Sequence, residues 1–240
     1  MRGLVLRFDA PLIAFGAPAV DALRVDRSFP CISMIAGLLG NALGWDHSEG
    51  ERFNRLQDRI QYAARIDRKG TLIVDFQTVD LGQDHMMDTG WTTWGRPERR
   101  GGLSGDKTHI RYRHYRAGAI VTAVVTLQPE ADDPSLRSVE YFLRQPERPL
   151  FIGRKCCIPA SPIYRGSMEG PTLLAMLSRI PPPPDVKETR MFAQWPAEEE
   201  ALPESREILS VEHRDWINQI HVGESRVRQG WIDLVETSDV

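Results

Sequence analysis

Positions 96–116 read RPERRGGLSGDKTHIRYRHYR, in which Arg96, Arg99, Arg100, Lys107, Arg111, Arg113 and Arg116 face only Glu98 and Asp106. This basic block lies in a chain whose net charge is −3. Trp91, Trp94, Tyr112 and Tyr115 sit within or beside it. Cations neutralise phosphates while aromatic rings stack on unpaired bases, so the combination suits single-stranded RNA or DNA. The competing reading is a solvated loop that ends in a polar strand. Lys107, His109, Tyr112, His114 and Tyr115 are also the residue types for metal-free RNA cleavage, which needs a base for the 2′-hydroxyl and a cation for the phosphorane. A histidine on a basic strand serves equally as a plain phosphate contact. A second cationic motif, Gly153-Arg154-Lys155, puts two cations directly after a residue that lets backbone approach a phosphate.

The rest of the composition narrows the field. The 240 residues, 41% hydrophobic and 26% charged, fit a globular protein with one sizeable core or two smaller ones. A near-neutral chain does not coat nucleic acid in bulk, so binding must be local. Cys31, Cys156 and Cys157 form neither a disulfide framework nor a zinc spacing. Reduced thiols of a cytoplasmic protein are the simplest reading. The six histidines make no metal-ligand set with cysteine or carboxylate, and no cofactor motif occurs. Residues 1–11 lack the apolar run of a signal peptide, and no stretch reaches the length of a membrane span.

The elements that must position these residues follow from periodicity. Residues 2–8 (RGLVLRF) read as a central strand. Residues 28–44 place Ile32, Ile35, Ala36, Leu39 and Leu43 at helical spacing, with Gly44 beyond the end. Gly37 and Gly40 within that helix predict close approach of another backbone. Ser33, near its start, predicts either an ordinary cap or free N–H groups for a phosphate. A short polar helix at 51–58 precedes alternation over 59–67, a turn at 67–70 and a second strand over 71–79, read together as a hairpin. Residues 80–105 have no periodicity, too long a connection to be casual. Strands follow at 108–116 and 119–127, then a helix with Asp133 as N-cap and Pro134 at its first position, and a stretch at 150–158 that begins as a strand and is interrupted by Gly153-Arg154-Lys155.

This order is βαββαβ with a long basic insertion. The predicted fold class is α+β, ferredoxin-like or RRM-like, with a sheet open on one face. It occupies residues 1–160, followed by a small irregular C-terminal domain over 161–240.

Several stretches resemble the CasD family, the type I-E branch of the fifth Cas family. They are residues 4–16 (LVLRFDAPLIAFG), 29–44 (FPCISMIAGLLGNALG), 75–79 (DFQTV) and 149–166 (PLFIGRKCCIPASPIYRG), with Arg214-Asp215-Trp216 and His221-x-Gly223 near the end. The resemblance implies a non-catalytic subunit of the CRISPR Cascade complex whose RRM-like domain grips the 5′ handle of the crRNA. It implies a hairpin thumb over the RNA at about 81–113. It also implies contacts with the backbone subunits and the large subunit, and with target DNA through the assembled complex, with no cofactor and no membrane. The RNA-binding residues are then Ser33, Trp91, Trp94, Arg96, Arg99, Arg100, Lys107, His109, Arg111, Arg113, Tyr115, Arg154 and Lys155. One departure stands out: where the family often has Pro-Thr-Arg-Ser, this chain has Pro30-Cys31-Ile32-Ser33. That removes the cation before the first helix. Another branch of the family cleaves precursor RNA with tyrosine, lysine and histidine, which keeps endoribonuclease as the alternative, on Tyr112, Lys107 and His109 or His114. An unrelated ferredoxin-like interaction module is the third reading.

Overall fold

The computed structural model describes residues 1–18, 22–80, 90–91, 97–98 and 108–235, with backbone alone for 80, 90, 91, 97 and 98. In chain order the elements are β1 (Arg2–Asp9), β2 (Leu12–Ile13), β3 (Leu23–Arg24), α1 (Ile32–Ala42), α2 (Gly50–Arg59), β4 (Ile60–Arg68) and β5 (Thr71–Asp80). Then come β6 (Gly90–Trp91), β7 (Pro97–Glu98), β8 (Thr108–Ala117), β9 (Ile120–Leu127), α3 (Leu136–Arg144), β10 (Tyr164–Glu169) and α4 (Leu173–Ser178). The chain ends with β11 (Arg190–Pro196), β12 (Arg206–Ser210), β13 (His213–Asp215), β14 (Ile220–Val222) and β15 (Ser225–Asp233).

Seven strands form one antiparallel sheet in the order β10-β1-β9-β4-β11-β15-β12. β1 and β9 are central, and all eight residues of β9 are buried. Successive side chains on a strand point to opposite faces, and the core divides accordingly. Leu4, Leu6, Phe8, Val121, Ala123 and Val125 belong to a cluster with α1, α2 and α3. Val5, Ala63 and Val124 belong to a second cluster with Leu173, Met176 and Leu177 of α4.

The sheet is therefore covered on both faces, not open on one. Beneath α4 the covering is pinned by Arg65, fully buried, whose guanidinium donates to Leu177 O and Ile180 O at 2.7 Å each and to Asp67 at 2.8 Å. Carbonyls at a helix end lack partners within the helix, and a cation completes them.

Other expectations are corrected. Residues 150–158 are not a strand: Cys157 N donates to Arg154 O and Ile152 N to Cys157 O, both at 2.8 Å, closing a tight loop. The strand that follows α3 in the sheet is β10, further on. α3 is capped by Ser135, whose hydroxyl accepts from Ser138 N at 3.1 Å, rather than by Asp133. The C-terminal segment is not irregular, since β11, β15 and β12 extend the same sheet beyond β4.

The largest correction concerns β4 and β5, which do not pair with each other. β4 pairs β9 up to Arg68↔Ile120, and β5 pairs β8 from Thr71↔Ala117, so one ribbon continues through the corner in unbroken register. Gly70 and Gly118 fall opposite each other there, both with φ near +65°. A Cβ on Gly70 would lie 2.5 Å from Ala117 O, so the chain passes too close for any other residue. The ribbon bends and continues as an arm, with β2 and β3 on the far edge of β8. The arm leaves the main sheet at about residue 71.

Candidate nucleic-acid interface

α1 is the floor of a groove of about 700 Å³, walled by residues 14–17, 148–155 and the β13–β14 hairpin. Aromatic packing sets its shape. Gly40 leaves room for Phe53 of α2, whose ring would be 2.1 Å from a Cβ, and Trp216 lies over Gly37. The close approach anticipated at these glycines is by side chains, not by backbone. Phe53 and Trp216 stack at 4.5 Å. Gln57 of α2, buried, holds the hairpin in place: it accepts from Trp216 Nε1 at 3.1 Å and Arg214 N at 3.0 Å, and donates to Arg214 O at 3.0 Å.

The groove's ionisable lining is Arg148, Arg154, Lys155 and Arg214, with His47 and His221, against the single carboxylate Asp46. Hydrogen bonds from Ser48 hold that carboxyl below its usual range. Burial lowers the Arg214 pKa, and its Nε is buried without a hydrogen-bond partner among the described residues. Burial, then the charge of Arg214, pushes His221 below the ordinary histidine value. Arg148, Arg214, His47 and His221 were not among the expected binding residues. The Arg-Asp-Trp motif with His221 signalled two of them, but nothing in the sequence shows that 148 and 214 line one groove.

Of the expected residues, Lys155 is exposed at the groove rim. Arg154 is occupied: it donates to His114 O at 2.9 Å and Arg24 O at 3.1 Å, and its guanidinium covers the Tyr115 ring at 4.6 Å. Tyr115 is only 5% exposed, so it is a core residue rather than a stacking platform. Gly153 has φ +80°, and a Cβ there would be 1.7 Å from Ala14 O. Its bare backbone therefore packs on the neighbouring loop, where a phosphate had been expected.

Ser33 is also buried, and the start of α1 is not a phosphate site. The Glu212 carboxylate accepts from Ile32 N at 3.0 Å and Glu212 O accepts from Ser33 N at 2.9 Å. The same carboxylate takes bonds from Tyr62 Oη at 3.0 Å, Ser210 Oγ at 2.6 Å and Arg27 at 3.4 Å. A protein anion fills the place that an unoccupied helix start would leave for a ligand.

On the arm, β8 alternates as expected. His109, Arg111 and Arg113 share a face with Tyr115, and Ile110, Tyr112 and His114 take the other. Arg24 of β3 pairs in register with Arg113, adding a cation that sequence reading missed. The basic face thus leads from the arm to Arg154 and the groove rim. His109 points away from Tyr112 and His114, so the candidate acid–base groups are split between two faces. Trp94, Arg96, Arg99, Arg100 and Lys107 lie outside the described residues, and of Trp91 only the backbone is described. Among the described residues no helix is long and apolar enough to cross a membrane.

Comparison with known proteins gives a consistent answer. The chain is 28% identical over 168 residues to the CRISPR system Cascade subunit CasD of Escherichia coli (strain K12), covering 69% of this chain and 71% of that protein. Its fold matches a chain of a CRISPR RNA-guided surveillance complex with a TM-score of 0.70 at 21% identity, over 98% of this chain and 92% of the other. A crystal structure of a Cas protein matches with a TM-score of 0.62 at 22% identity, over 97% and 95%. The model of the CRISPR-associated Cas5 proteins matches residues 3–228. The chain belongs to the Cas5 family of CRISPR-associated proteins.

Proposed function

We propose that this chain holds the 5′ handle of crRNA in a type I-E Cascade complex, without cleaving it, and joins the backbone subunits to the large subunit for targeting DNA. The observation that carries this reading is that Arg154 ties β8 and β3, which carry Arg111, Arg113 and Arg24, to the groove lined by Lys155, Arg148 and Arg214. Cations placed in this way suit the phosphates of one extended strand, and the groove beside them can take unstacked bases. The order of β10, β1, β9 and β4 agrees with a split βαβ, ferredoxin-like core carrying the arm as its insertion. With the sheet covered on both faces, RNA is held by the arm and the groove instead of the sheet surface. The division near residue 160 is a functional one in this reading, with the later segment supplying the groove's far wall.

Tyr112 shares its face of β8 with His114 and not with His109, so an acid–base pair on one phosphodiester could only be Tyr112 with His114. The test is equilibrium binding of repeat RNA with and without its handle, over a salt series and in the absence of metal. Preference for the handle is expected, with intact RNA recovered. Equal binding of scrambled RNA would refute handle recognition. Site-specific cleavage lost in His109→Ala with His114→Ala would replace it with the ribonuclease reading.

A further inference from the structure

The arm has an edge that the RNA reading does not use. β8 pairs β5 along Thr71–Asp80, and among the described residues no strand occupies the other edge of β5. Ten residues, about 33 Å of strand, thus present unpaired N–H and C=O groups in alternation. Leu72, Ile73, Val74, Phe76 and Val79 are all more than 40% exposed along it. The main sheet's own edges look different. β12 is five residues long and begins with Arg206 and Glu207, while β10 carries Arg165 and Glu169. Short, charged edges of that kind resist pairing, whereas a long apolar one invites it.

We propose that the free edge of β5 is a strand-addition site for an extended segment of a neighbouring protein subunit. This rests on the chain working inside an assembly, and it does not depend on which RNA is bound. The partner is specified by chemistry. It supplies a backbone of alternating donors and acceptors, apolar side chains on the face of Leu72, Val74 and Phe76, and a lysine or arginine opposite Asp75. RNA fits this edge poorly, because phosphates only accept hydrogen bonds and would leave the strand's carbonyls unpaired. In a second copy, the antiparallel register that sets Asp75 against its own counterpart is disfavoured by charge, and self-pairing in any other register is read by the concentration series below.

Hydrogen exchange of the amides of residues 71–80 tests the proposal in the full-length protein. It is measured on the protein alone at low and high concentration, with handle RNA, and in the reconstituted Cascade complex. The amides facing β8 are expected to be slow throughout, and the outward half to slow at least 100-fold only in the complex. Slowing with RNA alone would make the edge an RNA surface, and slowing with concentration would make it a self-association surface. Either result, or no gain in the complex, overturns the proposal. Val74→Lys with Phe76→Lys should reduce incorporation into the complex at least tenfold while leaving affinity for handle RNA unchanged. Normal incorporation of this variant would also overturn the proposal. Should the variant not fold, the exchange result on the unaltered protein decides alone. Loss of RNA affinity in the unaltered protein would count against the RNA reading and not against this one.

Discussion

The arm and the groove are both cationic, yet their arginines are used differently. On the arm, the bond that Arg111 makes among the described residues is a local one to Ile110 O, at 2.9 Å. Around the groove, Arg154 bridges two strands through His114 O and Arg24 O, Arg148 donates to Trp45 O at 2.7 Å, and Arg214 donates to Gln219. A cation held by carbonyls keeps its charge but shares its donors, so it shapes the site while contributing to it. The same residue type therefore has two roles, and only its neighbours tell them apart.

The sharpest way to test this contrast is to remove the groove's wall rather than its charge. Trp216→Ala should cost about 3–5 kcal/mol, because a buried ring stacked on Phe53 is lost and a cavity remains. Urea unfolding checks the stability, and handle-RNA affinity should fall with it; a stable variant that binds normally would mean the groove is not the site. Glu212→Ala comes next, at about 2–4 kcal/mol, since Ile32 N, Tyr62 and Arg27 lose a buried partner. Added formate should restore part of the melting temperature, and complete indifference to formate would show that the carboxylate does not cap α1. Arg154→Ala should cost about 1–3 kcal/mol, as two carbonyls lose their donor, and should weaken RNA as well. An unchanged melting temperature would erase the distinction between held and unheld arginines. The smallest effect on stability belongs to Arg111→Gln with Arg113→Gln, within about 0.5 kcal/mol of the parent. In that variant the salt slope of RNA binding should drop by about one unit per lost phosphate contact. A full-sized slope would take the arm out of the interface.

Much of the secondary structure was legible. α1, α2, β1, β8 and β9 follow from hydrophobic spacing because each has one period and clear stops. The β4–β5 corner was misread because Arg68-Lys69-Gly70 has turn chemistry, and the same glycine that closes a hairpin also permits a bend in a continuing strand. Residues 150–158 look like a strand through Leu150, Phe151, Ile152 and Ile158. They form a loop because Gly153 packs against Ala14 and Arg154 is tethered to β8. β15 was missed since its alternation is broken by Arg226, Arg228 and Gln229, polar residues that a sheet position accommodates and a sequence window penalises.

The sequence by itself determined the family, through motifs spread over most of the chain, and it determined that one strand carries cations on one face and apolar groups on the other. Both are local properties, fixed by residue order and by the two-residue period of a strand. Which cations are free to meet a ligand, what fills the start of α1, and that both sheet faces are covered were decided only by the tertiary structure. Those answers depend on Glu212 reaching Ile32, Arg154 reaching Arg24 and α4 folding over Val124. Contacts between residues so far apart in the chain leave no periodic trace in its order.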